Sequence, residues 1–199
     1  LRPTPRGPAG PAALRPAPRG PARPITLPHA AADSILQYSM RTLIPRFILR
    51  RGVEGDDHGT LEGAALFLDL SGFTELTSAL MEHGDEGAEV LSRIINTLFD
   101  PLIKEINAAG GFVATFAGDA VTAVFPDRDA GAAARAALRM LRVIDANHLQ
   151  RTPAGEFPVD AKIGVGYGAI EWGTIHGRDR STYYFRGGAV EEAAAAEHQ

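Results

Sequence analysis

The sequence predicts an α+β domain with a mostly antiparallel sheet, and three observations carry that expectation. The run GAALFLDL at 63–70 is short, apolar and bounded by turn formers, so it reads as a buried central strand. The stretch GFVATFAGDAVTAVF at 111–125 reads as two strands joined by a Gly-Asp turn, a hairpin signature. Helical patterns separate these strands without the regular alternation of a doubly wound parallel sheet.

In chain order, residues 1–28 hold nine of the fourteen prolines, five arginines and no acid. Proline removes backbone donors and fixes φ, so this stretch is expected to stay an extended, disordered linker. Residues 29–59 form a lead-in. Ile35, Leu36, Tyr38, Met40, Leu43 and Ile44 predict a short helix ending before Pro45. RFILRR at 46–51 is amphipathic and basic, and Gly52 to Gly59 make an acidic, glycine-rich break.

The folded domain is placed at 60–199, incomplete at its carboxyl end. Ser71 to Met81 reads as a helix with Ser71 or Thr74 near its cap. Apolar side chains at 90, 91, 94, 95, 98, 99, 102, 103 and 106 make a helical stripe over 86–109, with a kink expected near Pro101. Alanine-rich 128–147 is a helix with a solvated basic face at Arg135, Arg139 and Arg142. Residues 159–170 and 171–177 read as two strands joined near Gly166–Ala169. STYYF at 181–185 is another strand, and GGAVEEAAAAEH at 187–198 opens a last helix.

Bulk properties narrow the function classes. A net charge of −4 argues against a nucleic acid polymer or an anionic membrane as partner. The chain has no cysteine, which removes disulfides, thiolate zinc and a cysteine nucleophile, and fits a cytoplasmic setting. No apolar run approaches the ~20 residues of a membrane span. His58, His83, His148 and His176 lack ligand spacing, and Trp172 reads as a packing residue.

Two aspartates stand out. Asp69 ends an apolar strand, and Asp119 follows Gly118 at a hairpin turn flanked by apolar strands. A carboxylate drawn out of water needs a partner, and neither motif contains a Lys or Arg. A shared divalent cation would satisfy both, since magnesium favours one or two carboxylates plus phosphate oxygens. After Asp69 comes Ser71-Gly72-Phe73-Thr74, where a strand turning into a helix points backbone N–H groups outward. Such a helix start binds phosphate without a dedicated side chain.

Together FLDLSGFTEL (67–76) and GGFVATFAGDAVTAVF (110–125) resemble the two metal motifs of class III adenylyl and guanylyl cyclases. With KIGVGYGAIEWGTIHG (162–177) and GGAVEEAAAAE (187–197), the wording is closest to the first catalytic half of bicarbonate-responsive soluble adenylyl cyclases. The resemblance implies a ferredoxin-like βαββαβ core, the class III cyclase fold, and a dimer that shares its active site across the interface. It implies two Mg²⁺ or Mn²⁺ ions held by Asp69, Asp119 and the backbone carbonyl of Leu70. It also implies a triphosphate cradled by the amides of Ser71, Gly72, Phe73 and Thr74, with Arg180 as the nearest arginine.

The other half of the family's site is absent. The position of the purine-selecting lysine is Thr115, and its companion aligns with Tyr184. The transition-state asparagine and arginine fall on Glu191 and Ala195, and the lysine and arginine tied to bicarbonate response fall on Thr115 and Ala194. The expected role is therefore the metal-donating half of an adenylate cyclase, converting ATP to cyclic AMP and pyrophosphate. Its partner would be a second cyclase domain in the same full-length chain, and the isolated fragment is expected to be inactive. The alternative is a catalytically silent cyclase-like module that binds nucleotide or a partner. A diguanylate cyclase would need a different hairpin from Phe116-Ala117-Gly118-Asp119-Ala120.

Overall fold

The computed structural model describes residues 44–127, 129–178 and 180–198; the readings made for 1–43 lie outside them. Helix α1 (Arg46–Glu54) leads into strand β1 (His58–Ser71). Helices α2 (Phe73–Met81) and α3 (Gly84–Ala108) follow, then the hairpin β2 (Phe112–Ala117) and β3 (Ala120–Phe125). Helix α4 (Ala130–Ala146), a small hairpin β4 (Leu149–Thr152) and β5 (Gly155–Pro158), strand β6 (Asp160–His176), strand β7 (Ser181–Arg186) and helix α5 (Gly188–Glu197) complete the chain.

The main sheet runs β2-β3-β1-β6-β7, and every neighbouring pair is antiparallel. Its first four strands are in the ferredoxin-like order, with α2–α3 and α4 as the two crossovers. The expected α+β class and core are thus present.

Alternation along β1 explains how the sheet is covered. Leu66, Leu68 and Leu70 face α2, α3 and α4, whose Leu76, Leu80, Leu98, Leu102, Ile106, Met140 and Ile144 complete the larger core. Ala65 and Phe67 face the other side, where Val124, Ile170, Ala189 and Ala193 form a second, smaller cluster around α5. On that side α1 also docks, its Phe47 ring stacked on Phe112 at 5.5 Å and edge-on to Trp172 at 5.3 Å. Trp172 is buried packing, as its sequence context indicated.

Helix α5 lies unusually close to β6 because glycines line its seat. A Cβ at Gly164 would fall 1.9 Å from the Ala193 carbonyl oxygen, and one at Gly166 would fall 2.2 Å from that of Ala189.

Several boundaries differ from expectation. Strand β1 starts at His58 because it pairs with β6 along its whole length, from His58↔Gly173 to Ser71↔Asp160. The same pairing makes 160–176 one continuous strand where two were expected; Gly164 and Gly166 serve helix packing, not a chain reversal. The helix expected over 86–109 spans Gly84–Ala108, with Pro101 inside it. The hairpin β4–β5 was not anticipated. Arg139 is not simply solvated: it pairs with Glu105 at 2.5 Å and ties α4 to α3.

Strand β2 contains a bulge. Val113 pairs with Ala123, Ala114 is skipped, and Thr115 pairs with Thr122. The extra residue returns Thr115 to the α5 side of the sheet and sends Phe116 to the opposite side, against Phe99 at 6.0 Å.

Candidate active site

The carboxyl end of β1 and the β2–β3 turn meet at one corner of the sheet. Leu68 pairs with Val121 and Ala117 with Ala120, so the Gly118-Asp119 turn abuts the segment that carries Asp69. Gly118 has φ +68°, a left-handed conformation that lets the hairpin reverse tightly there. Asp69 lies between Leu68 and Leu70, both pointing into the larger core, and so faces the α5 side. Neither aspartate is fully buried; both are intermediate in exposure.

The charges of this corner are coupled. Partial burial, then the neighbouring carboxylates Asp119 and Glu197, hold the Asp69 carboxyl above its ordinary value. His198 and Lys162 pull the other way. Lys162 is directly opposite Asp69 in the β1–β6 ladder, on the same face. Sequence reading missed it because both metal motifs lack a cation, and Lys162 lies 93 residues further along the chain. The recoverable signal was the alternation of KIGVG, which sets Lys162 in phase with Gly164 and Gly166.

Beside this corner, β1 turns into α2 through Gly72, at φ +79°. Leu76 N–H donates to the Gly72 carbonyl at 3.2 Å as the first helical bond. The amides of Phe73, Thr74 and Glu75 therefore have no acceptor within the helix. Phe73 is buried against Phe99 at 6.2 Å and anchors the turn, while Ser71 and Thr74 are exposed. No side chain caps the helix, so the expected capping role of Ser71 or Thr74 does not appear.

The donor set suits a hard divalent cation. Asp69 and Asp119 offer carboxylate oxygens, and the Leu70 carbonyl lies in the backbone between Asp69 and the helix start. Among the described residues no group of three or more His, Cys, Asp or Glu is arranged to hold a metal. Two carboxylates completed by phosphate oxygens match magnesium or manganese better than an all-protein cage.

The remaining residues singled out from sequence are distributed as follows. Arg180 is in the loop between β6 and β7 at the opposite end of the sheet. Fourteen strand positions separate Lys162 from His176, on the order of 40 Å of chain. The structure therefore does not bring Arg180 to Asp69 and Asp119 within this chain. Tyr184 does not obstruct the α5 side. Its ring covers Gly173, where a Cβ would come 2.7 Å from the Tyr184 hydroxyl, whereas Trp172 and Phe185 point to the α5 side. Glu191 and Ala195, one helical turn apart on α5, are both exposed.

Thr115 lines a cavity of about 970 Å³ bounded by Arg46, Phe47 and Arg50 of α1 and by Phe112, Phe116 and Tyr183. None of Asp69, Asp119 or residues 71–74 contributes to it.

No protein-family model matches the chain. Curated relatives do. An adenylate cyclase of Anabaena cylindrica is 29% identical over 157 residues, covering 75% of this chain and 30% of that protein. Adenylate cyclase type 10 of Rattus norvegicus is 35% identical over 66 residues, or 32% of this chain and 4% of that protein. The chain thus spans less than a third of the length of these curated relatives. Among solved structures, a bacterial light-regulated adenylyl cyclase superposes with TM-score 0.63 at 23% identity, over 85% of this chain and 50% of that one. A class III adenylyl cyclase-like ATP-binding protein from Pseudomonas aeruginosa gives TM-score 0.56 at 18% identity, over 71% of this chain and 32% of that one. The domain has the fold of class III nucleotidyl cyclase catalytic domains, and its sequence is similar to adenylate cyclases.

Proposed function

We propose that this chain is the metal-donating half of a nucleotidyl cyclase, converting ATP to cyclic AMP and pyrophosphate in a pseudo-heterodimer with a complementary cyclase domain. The observation that carries the reading is the meeting of Asp69 and Asp119 beside the open amides of α2. Asp69, Asp119 and the Leu70 carbonyl would hold two Mg²⁺ or Mn²⁺ ions. Bound there, the ions lower the pKa of the ribose 3′-hydroxyl and neutralise the phosphates. The amides at 71–74 bind and orient the polyphosphate at the positive end of the α2 dipole. Lys162, beside Asp69, adds a cation facing the same space, a role that Arg180 is too distant to fill within this chain. Thr115, Glu191 and Ala195 supply neither a base-selecting lysine nor a transition-state cation. Those groups would come from the partner, a second cyclase domain of the full-length protein. No helix among the described residues is long and apolar enough to cross a membrane.

The test pairs binding with complementation. The 199-residue chain should bind Mn²⁺–ATP, and Asp69→Asn or Asp119→Asn should abolish that binding without unfolding the domain. The chain alone should make no cyclic AMP, and a cyclase domain carrying the missing lysine, asparagine and arginine should restore turnover. Unchanged Mn²⁺–ATP affinity in both mutants would sink the site assignment.

A second reading is a silent module that binds nucleotide or a partner without turnover. It is favoured by Glu191, a carboxylate exposed where the family places a group that faces phosphate. Nucleotide binding with no turnover in any complemented pair would select it.

A further inference from the structure

The phosphate turn has a wall behind it. At Gly72 the missing Cβ would fall 2.1 Å from the carbonyl oxygen of Pro158, the last residue of β5, and 3.7 Å from Val159 Cα. Gly72 thus meets two demands: a left-handed φ, and a backbone approach that leaves no room for a side chain. The wall itself is tied down. Val159 is 1% exposed, and Phe157 and Ala154 pack against the larger core. Val159 N–H donates to the His148 carbonyl at 2.6 Å and closes the open end of the hairpin. At the other end the Thr152 hydroxyl donates to the Gly155 carbonyl at 3.0 Å and accepts from Ala154 N–H at 3.1 Å.

We propose that the β4–β5 hairpin is the positioning element of the phosphate turn, with the Pro158 carbonyl as the stop against which Gly72 rests and Phe157 as its anchor. The inference rests on the cyclase reading of the Asp69–Asp119 corner and deepens it. Backbone amides stabilise phosphate charge only if they are already aimed at it, and a displacement of ~1 Å can cost ~100-fold in function. The turn gets its rigidity on one side from the buried Phe73. On the other side the end of the hairpin stands against it, with the Pro158 carbonyl nearest to Gly72. The ligand class is a metal-bound polyphosphate, here Mn²⁺–ATP.

The experiment compares affinities for Mn²⁺ alone and for Mn²⁺–ATP in the 199-residue chain, with a thermal melt for each variant. Asn tolerates left-handed φ, so Gly72→Asn isolates the collision with Pro158. Gly84→Asn is its control, since Gly84 has φ +59° and open space around it. Gly72→Asn should weaken Mn²⁺–ATP about 10-fold or more and leave Mn²⁺ alone within about twofold, while Gly84→Asn leaves both within about twofold. Phe157→Ala should weaken Mn²⁺–ATP by roughly 3- to 10-fold, and Phe157→Leu, which refills the anchor, should restore it. If Phe157→Ala does not fold, Pro158→Ala, which loosens the stop and keeps the anchor, should show the same selective loss.

Wild-type Mn²⁺–ATP affinity in a folded Phe157→Ala or Pro158→Ala protein overturns the proposal. So does an equal loss of Mn²⁺ alone and Mn²⁺–ATP. Asp69→Asn separates the two levels. If it abolishes binding while the hairpin variants do not, only the hairpin proposal falls. If no binding responds to Asp69→Asn, the cyclase reading falls with it.

Discussion

Asp69 on β1 and Lys162 on β6 are cross-strand partners, and both face the side of the sheet that carries α5. A carboxylate proposed to hold metal and an exposed cation thus share one register position at the corner where β1 gives way to α2. The ammonium offsets part of the repulsion that Asp119 and Glu197 exert on Asp69. It also adds positive charge next to the open helix amides.

Lys162 is therefore expected to act on phosphate more than on fold. Lys162→Met should weaken Mn²⁺–ATP by roughly 3- to 10-fold, the scale of one exposed charge-assisted contact. Lys162→Arg should retain most of the affinity. Melting temperatures should stay within a few degrees, because the side chain is exposed. Titration calorimetry of the three proteins checks this, and equal affinity across them would remove Lys162 from the site.

The raised Asp69 carboxyl has a consequence for stability without metal. Between its ordinary and its raised value the folded state binds more protons than the unfolded state, so this group makes stability fall as pH rises. The penalty is absent below the ordinary carboxylate range and complete above the raised value. Asp69→Asn should accordingly be more stable than wild type at neutral pH in chelator. The advantage should shrink as pH falls through the acid range, and denaturant melts from pH 4 to 7.5 would show it. An advantage that does not change with pH would contradict the coupling.

The seat of α5 makes a third prediction. Gly164→Ala adds a methyl where the Ala193 carbonyl already stands, so α5 or β6 must move. Overpacking of this kind costs about 1–3 kcal/mol, sometimes more. Gly168→Ala has open space and φ +152°, so it should show backbone strain without steric displacement of the helix. If Gly164→Ala melts with the wild type, α5 does not sit where it is placed here.

Much of this was legible in the residues. GAALFLDL and FAGDAVTAVF announce their strands and turn because burial on both faces of a central strand leaves an apolar run, and only a Gly-Asp step interrupts it. Asp69, Asp119 and the 71–74 turn were picked out because charges and glycines at strand ends conflict with simple core building. The continuity of β6 was hidden by glycines whose purpose is three-dimensional: they admit α5. The face of Lys162 was recoverable from the KIGVG alternation, but its partner Asp69 was not, nor was the contact of Pro158 with Gly72: each acts on a residue more than 80 positions away through a pairing that local sequence does not encode. The distance of Arg180 from Asp69 within this chain was not legible either, because the length of β6, not nearness in sequence, decides which end of the sheet a loop occupies.

The bulge at Ala114 carries a genetic consequence. Strand β2 is written in two phases, one before and one after the skipped residue, and a single in-frame codon decides where the phase changes. Deleting Ala114 would remove one small side chain and leave every downstream residue in place on the hairpin ladder. The upstream half would keep its faces: Phe112 opposite Val124, Val113 opposite Ala123 and Thr115 opposite Thr122 would become consecutive pairs of a regular ladder. The lesion would then surface as the loss of the Ala114 methyl from the small cluster beneath α5, with Asp119 and its turn untouched.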